Sequence, residues 1–274
     1  MEYGTFLRLA APSEADEGFA ALRADGFDCC HLVYKPPVYT KADAEQITAA
    51  AKKHGVRIAA LFAGYRDNKT KWNLSTDFND AGINSLAYGE ERIAYLKQAA
   101  VFCRDLGVHD MLIHAGFVAN NPYSEEYQYM CGKMRDLALY LQTLSLDLLL
   151  ETGGESPVTH LRLIRDTGCT NIFANLDTAN LIMYGFGNPV DAVCTLAHHI
   201  RSVHVKDGTP PTDPDTLGKE TEFGEGYVDF NRVFSGLRRI GFNGPLIIER
   251  EIPDGKRREK IGETLKHLKS VFEN

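Results

Sequence analysis

The strongest constraint on the fold is a regular alternation of short apolar runs with longer amphipathic segments. Eight runs of apolar or β-branched residues are typical of strands, and they cover residues 5–9, 30–34, 56–62, 111–114, 146–150, 172–176, 202–205 and 246–248. Strands that alternate with helices predict a parallel sheet with crossover helices. Eight repeats in 274 residues allow about 34 residues each, which is enough for one strand–helix unit.

The segments between these runs have helical periodicity. One apolar face is spaced by three or four residues and comprises Ile93, Leu96, Ala100, Cys103 and Leu106. A second face near the C-terminus comprises Ile261, Leu265, Leu268 and Phe272. Five glycines stand before the next predicted strand, at Gly26, Gly55, Gly107, Gly168 and Gly241. Each is expected to end a helix in the left-handed conformation.

Eight strand–helix units predict an α/β fold, namely a single (β/α)8 TIM barrel over residues 1–274. The alternative is an open doubly wound sheet. A dinucleotide-binding sheet of that kind carries G-x-G-x-x-G after its first strand, and no such motif occurs here. We find no low-complexity tract or change of composition that would mark a domain boundary.

Composition excludes several classes of partner. The chain has 30 basic and 37 acidic residues, a net charge of −7, which argues against a nucleic-acid-binding face. Its apolar stretches fall short of the roughly 20 residues that cross a membrane. The six cysteines lack CxxC spacing, and residues 1–18 lack the apolar core of a signal peptide. We therefore expect a cytoplasmic location. A homo-oligomer is compatible with the sequence.

Ionisable residues end successive predicted strands. Glu151, Asp177 and Glu249 end or follow strands five, six and eight, and His204 lies in strand seven. Catalytic groups of a barrel come from the carboxyl ends of its strands, so these side chains should converge. Converging carboxylates repel one another in a partly dry pocket, and a divalent cation offsets that repulsion. Three oxygen ligands and one nitrogen ligand suit Mn²⁺, Mg²⁺, Co²⁺ or Zn²⁺.

Each of these residues also has an ordinary structural interpretation. A glutamate after a strand is commonly salt-bridged at the rim of a barrel. Asp177 could cap the helix that follows it, and His204 could be a hydrogen-bonded core histidine. The metal site is favoured because all four residues occur at four consecutive strand ends.

The segments that carry these residues resemble the sugar phosphate isomerase/epimerase superfamily, the xylose isomerase-like TIM barrels. The similar segments are LLLETGGE, NLDTANLIMYG, VHVKDG, FGEGYVDF and GPLIIERE. The resemblance implies that Glu151, Asp177, His204 and Glu249 bind one divalent metal ion, and that Glu151 and Glu249 are also the catalytic acid and base. It further implies that His114 faces the sugar, and it places Lys206, Asp207 and Glu225 in recurrent strings of the family. We expect these four residues and Asn180 to bind the sugar, and the alternative for His114, Asn180 and Lys206 is a rim salt bridge or a cap.

Three features depart from relatives with known chemistry. Asn180 stands where many relatives have a histidine, which removes a ligand expected for the abasic-site endonucleases of this fold. Residues 208–231 contain no arginine, whereas 3-epimerases tend to carry one there. Glu155 is spaced differently from their second glutamate. A hydrolase that cuts phosphodiesters is therefore disfavoured, and C3 epimerisation is not assumed.

We expect a sugar isomerase or epimerase that acts through an enediolate, with Glu151 and Glu249 transferring the proton. The same site could serve a sugar or inosose-type dehydratase. An alternative of another class is a non-catalytic sugar-binding barrel. Arg66, Lys69 and Lys71 could contact a substrate phosphate or form a solvated loop, so the substrate is a sugar or a sugar phosphate. Asp207 is a candidate hydrogen-bond partner for His204.

Overall fold

Eight parallel strands close into a barrel. The computed structural model describes residues 1–34, 39–65, 72–73 and 82–272. Strands β1 to β7 are Glu2–Leu7, Cys29–Tyr34, Arg57–Ala63, Asp110–Ile113, Asp147–Glu151, Ile172–Asp177 and Ile200–Val205. Two short strands, β8 (Asp207–Gly208) and β9 (Glu220–Thr221), form a separate antiparallel ladder, and β10 (Pro245–Ile248) is the eighth barrel strand. The predicted α/β class and barrel fold are confirmed.

Helices connect the barrel strands. In chain order α1 to α9 are Ala15–Ala24, Lys41–His54, Gly89–Asp105, Glu125–Thr143, Pro157–Asp166, Asn180–Met183, Pro189–Thr195, Phe230–Arg239 and Arg257–Phe272. Two 3₁₀ helices cover Pro12–Glu14 and Gly82–Asn84. Several helices begin at a residue whose side chain accepts a backbone N–H of the first turn, as Thr40 does at α2 and Ser156 at α5. The five glycines predicted to end helices all have positive φ.

The first strand differs from its prediction. It runs from Glu2 to Leu7 rather than over residues 5–9. The reason is pairing, because Glu2 to Thr5 lie opposite Pro245 to Ile248 of β10. Gly4 permits this close packing, since a Cβ there would lie 2.7 Å from the carbonyl oxygen of Cys29.

The barrel interior changes from apolar to polar along the strands that carry the predicted site. Apolar interior clusters comprise Phe6, Cys29, Ala59 and Ile247, and Ala60, Leu112 and Leu149. Along β6 the residues Phe173, Asn175 and Asp177 alternate onto the same face. This packing places the polar side chains at the carboxyl end of the barrel.

Two further features of the described structure concern the cysteines and the helices. All six cysteines are free, and Cys29, Cys30 and Cys103 are buried among apolar residues. Within the described ranges, no helix combines the length and apolar character that a membrane span requires.

Candidate metal centre

Four ionisable side chains meet at the carboxyl end of neighbouring strands. Glu151 ends β5, Asp177 ends β6, His204 lies in β7 and Glu249 follows β10. These strands are adjacent in the barrel, and Asp177 lies directly opposite His204 in the ladder. One potential ligand atom from each residue lies within 4.8 Å of the others, and all four residues are buried.

His204 directs Nδ1 toward the carboxylates. Its Nδ1 atom lies 2.9 Å from Oε1 of Glu151, 3.2 Å from Oε2 of Glu249 and 3.9 Å from Oδ2 of Asp177. The Lys206 ammonium lies 3.1 Å from Oδ2 of Asp177 and 3.3 Å from Oε2 of Glu249. The centre therefore contains three carboxylates, one imidazole and one ammonium.

The two carboxylate oxygens of Asp177 have separate surroundings. Oδ1 accepts hydrogen bonds from the backbone N–H groups of Ala179 (2.8 Å) and Asn180 (2.7 Å). Oδ2 is buried, and among the described residues it makes no hydrogen bond besides its ion pair with Lys206. Asp177 thus caps the following turn with one oxygen and presents the other to the centre.

The second nitrogen of His204 faces another histidine. His204 Nε2 lies 3.0 Å from Nδ1 of His31, and both rings are fully buried. Asp207, the candidate partner from the sequence, is not in this position. Its oxygens accept backbone N–H groups from Gly208, Gly224, Gly226 and Val228. Asp207 therefore holds the turn that contains the Gly-Glu-Gly sequence.

The pKa values reflect crowding of like charges. Burial raises the pKa of Asp177 to about 7, with Lys206 opposing the shift and Glu249 and Glu151 adding to it. Burial lowers the pKa of His204, but Glu151 and Glu249 outweigh it and raise the value to about 10. Despite its burial, Glu249 has a pKa well below the usual range because of Lys206 and His204. Without a bound ion, His204 and Lys206 therefore supply the positive charge.

These residues fit a divalent cation. Three carboxylates and an imidazole nitrogen converge, and the buried Oδ2 of Asp177 makes no hydrogen bond in the described structure besides its ion pair with Lys206. The donor set contains no thiolate and is rich in oxygen, so it suits the hard or borderline divalent metals. Glu151, Asp177, His204 and Glu249 would hold the ion.

A second group of His109, Asp110 and Asp147 lies at the opposite end of the strands. Arg201 approaches both carboxylates, at 3.1 Å from Asp147 and 3.7 Å from Asp110. The arginine offsets their charge, and the group is partly exposed, so we assign no ion to it.

A cavity of about 340 Å³ opens beside the four-residue centre. Its polar lining comprises His114, Glu151, Asn180, Lys206, Glu249 and Glu251. Its apolar and aromatic lining comprises Phe62, Tyr65, Trp72, Met183, Tyr184 and Leu217. The cavity is large enough for a small molecule that presents oxygen atoms at one end and C–H groups along the other.

His114 lies in the wall of this cavity. Its Nδ1 accepts the N–H of Gly116 at 3.3 Å, and its buried Nε2 has no hydrogen-bond partner among the described residues. The Trp72 ring lies against it, with 4.3 Å between the ring centroids. Burial lowers the pKa of His114, so the ring is neutral at physiological pH.

Of the other predicted sugar contacts, Asn180 and Lys206 also line the cavity, whereas Asp207 and Glu225 do not. Asn180 Nδ2 donates to Oε1 of Glu151 at 3.4 Å and to the Thr152 carbonyl at 3.3 Å, so Asn180 orients Glu151. Glu225 is exposed on its turn and is not part of the cavity lining. Arg66, Lys69 and Lys71 lie outside the described residues.

Two parts of the site escape prediction from sequence. His31 lies on the interior side of β2, where it contacts His204. In the sequence it is a single histidine in the apolar run CCHLVY, which is only weak evidence for a role in the site. Tyr184 contributes its ring beside His114, at 5.9 Å between centroids, and only the folded chain brings the two together.

A closed (β/α)8 barrel with a buried carboxylate–imidazole centre defines the class of protein. The chain belongs to the xylose isomerase-like TIM barrel family, whose sequence model matches residues 19–271. This match confirms the resemblance that the sequence motifs carry.

Solved structures share the fold over nearly the whole chain. A xylose isomerase domain protein from Planctomyces limnophilus is 27% identical, with a TM-score of 0.89 over 98% of this chain and 96% of that one. An L-ribulose 3-epimerase is 21% identical, with a TM-score of 0.72 over 97% and 93% of the two chains. A D-allulose 3-epimerase from Methylomonas is 17% identical, with a TM-score of 0.72 over 98% and 97%. The last two likenesses concern the fold alone.

A curated relative matches over a short segment. L-ribulose-5-phosphate 3-epimerase UlaE from Escherichia coli O1:K1 is 47% identical over 51 residues. That segment is 19% of this chain and 16% of the relative, so the match spans about a sixth of the relative's length.

Proposed function

We propose that the protein is a divalent-metal-dependent isomerase or epimerase of a sugar or sugar phosphate that acts through an enediolate. The observation that carries this proposal is the position of Glu151 and Glu249. Both belong to the four-residue metal centre and both line the adjoining cavity. The UlaE relative, an L-ribulose-5-phosphate 3-epimerase, supports a sugar or sugar phosphate as the substrate class.

The two glutamates have the chemistry for proton transfer. A C–H group next to a carbonyl is a weak acid, and its removal leaves a negatively charged enediolate. A bound divalent cation would supply the positive charge that stabilises that enediolate. Glu249 has a depressed pKa and is ionised at neutral pH, so it can accept the proton. Glu151, held by Asn180 and His204, is the second group of the pair.

Other residues of the cavity wall would orient the substrate. His114 offers a buried neutral nitrogen, and Lys206 brings an ammonium beside Glu249. The rings of Trp72 and Tyr184 give an apolar surface for the C–H groups of a sugar. The sugar-binding roles of Asp207 and Glu225 stay predictions, because one is bonded to backbone amides and the other is exposed.

Solvent-proton exchange tests the proposal. We expect deuterium from D₂O to enter at least one member of a panel of ketoses and ketose phosphates in the presence of Mn²⁺, as followed by NMR. Label with inverted configuration indicates an epimerase, whereas label on the neighbouring carbon indicates an aldose–ketose isomerase. Loss of a hydroxyl indicates a dehydratase. Saturable sugar binding without solvent-proton exchange would contradict the proposed enzymatic activity and favour a non-catalytic sugar-binding barrel.

Metal affinity should depend on pH. A cation at Nδ1 of His204 displaces the proton that this atom holds below a pKa of about 10. Below about 7 Asp177 holds a second proton that the cation must also displace. Lowering the pH therefore weakens binding. Each decrease of one pH unit should lower the Mn²⁺ affinity about tenfold while the pH stays above 7. Below pH 7 the decrease per unit should be larger.

Isothermal titration at pH 6, 7 and 8, with the proton release read in buffers of different ionisation enthalpy, measures this dependence. A slope near zero between pH 7 and 8 would show that binding does not displace the His204 proton.

A further inference from the structure

His31 is a fully buried histidine of β2. It contacts His204 on the side of the ring away from the carboxylates. Its Nδ1 lies 3.0 Å from Nε2 of His204, across 173 residues of sequence. The ring packs edge-on to Phe6, with 5.9 Å between centroids, inside the barrel. It does not line the cavity, so its contribution to the site passes through His204.

The hydrogen bond between the two rings has one consistent direction. Nδ1 of His204 faces the oxygens of Glu151 and Glu249, and a cation at that position requires its lone pair. The ring proton of His204 is then on Nε2. Nε2 donates it to Nδ1 of His31, which must be unprotonated. If His204 is instead an imidazolium, its Nε2 still donates and the direction of the bond is unchanged.

The surroundings of His31 keep this acceptor available. The ring is fully buried, and its Nδ1 lies 3.0 Å from the protonated Nε2 of His204. Two protons do not fit between these nitrogens, so the ring proton of His31 is on Nε2. That nitrogen is buried and has no hydrogen-bond partner among the described residues, so no donor there competes to place the proton on Nδ1.

We propose that His31 is a positioning residue of the metal centre, whose Nδ1 accepts the Nε2 proton of His204 and so turns Nδ1 of His204 toward the metal. The proposal rests on the metal site of the proposed function. A residue that bonds the far nitrogen of a metal-binding histidine fixes both its tautomer and its orientation.

A neutral acceptor also suits the charge of this centre. Three carboxylates, a divalent ion and the Lys206 ammonium sum to zero net charge when His204 is neutral. A carboxylate in place of His31 would add a negative charge in a fully buried position. Histidine supplies the acceptor without that charge.

Paired substitutions separate hydrogen bonding from packing. His31→Gln keeps an acceptor, and His31→Leu removes it while filling similar space. By titration of metal-stripped protein with Mn²⁺, we expect His31→Leu to bind about 10–100-fold more weakly and His31→Gln to remain within a few-fold of the unaltered protein. His160→Leu is the matched control, since His160 is equally buried but bonds Glu155 at 2.6 Å.

Thermal melting of each variant controls for folding. A folded His31→Leu protein with unaltered Mn²⁺ affinity would overturn the proposal, as would a His31→Gln protein that loses as much as His31→Leu. The ¹⁵N histidine spectrum of the unaltered protein gives a test that needs neither a variant nor a metal. We expect His31 to be protonated on Nε2 and to accept at Nδ1. A proton on Nδ1 of His31 would contradict the proposed role of His31 even if the protein turns over a sugar. If His31 shows the expected tautomer but the protein does not bind Mn²⁺, the result counts against the proposed function alone.

Discussion

Replacing Glu249 by glutamine should slow turnover and solvent-proton exchange by about 10²–10⁴-fold, measured on whichever sugar exchanges with the unaltered protein. Glutamine keeps the size of the side chain and an oxygen that can face the centre, but it cannot accept a proton. The depressed pKa of Glu249 keeps its carboxylate ionised at neutral pH, so an oxygen is available to take the proton. The same change removes a negative charge from the metal centre, so Mn²⁺ affinity should also fall.

The two effects separate when the metal is saturating. Exchange is therefore measured over a range of Mn²⁺ concentrations, and the plateau values are compared. Glu259→Gln on the exposed side of α9 is the control for a glutamate-to-glutamine change and should leave the plateau unaltered. A Glu249→Gln protein whose plateau equals that of the unaltered protein would remove Glu249 from proton transfer.

Asp177→Asn should have opposite effects on metal binding and on stability. Asparagine keeps Oδ1 as a cap for Ala179 and Asn180 but removes the charge that Oδ2 presents to the ion. Replacing a residue that hydrogen-bonds a metal ligand typically lowers metal affinity about 10–100-fold. We therefore expect the loss of the Asp177 ligand itself to lower the Mn²⁺ affinity by more than about 100-fold. The ion-free variant should nevertheless melt at a higher temperature than the unaltered protein at pH 8.

The sign of the stability effect follows from the raised pKa of Asp177. Folding raises this pKa from 3.8 to about 7, so the folded protein binds the proton more tightly than the unfolded chain does. Stability therefore falls as the pH rises through that interval, and ionised Asp177 is unfavourable at pH 8. Asparagine avoids that cost at every pH.

Melting in the presence of a chelator tests this expectation. The gain in melting temperature should be clear at pH 8 and smaller at pH 5, where Asp177 is already protonated. Asp136→Asn, at an exposed position of α4, controls for the change of net charge. A lower melting temperature at pH 8 would show that the Asp177 charge stabilises the folded protein, contrary to this account.

Much of the fold can be predicted from local sequence patterns. Each barrel strand is a short apolar run, and helix ends are marked by glycines such as Gly55 and Gly107 that adopt positive φ. The metal centre is accessible to the same reasoning because parallel strands of one barrel end at one rim. The proximity of Asp177 and His204 could be predicted from sequence because they lie at the ends of consecutive strands, which are neighbours in the barrel.

What escapes prediction depends on contacts distant in sequence. His31 and His204 meet only because β2 and β7 face each other across the closed barrel. Asp207 looks like a partner of His204 by proximity in sequence, but four backbone N–H groups of the β8–α8 region compete for its oxygens. The early start of β1 likewise depends on pairing with β10, about 240 residues away in sequence.

We propose that Glu151, Asp177, His204 and Glu249 together hold one divalent ion. Crystals of the protein grown with Mn²⁺, with data collected at the manganese absorption edge, test it most directly. We expect one anomalous peak within bonding distance of a carboxylate oxygen of each acidic residue and of Nδ1 of His204. A map with no peak among these four side chains at saturating Mn²⁺, or with the ion bound elsewhere, would contradict the account.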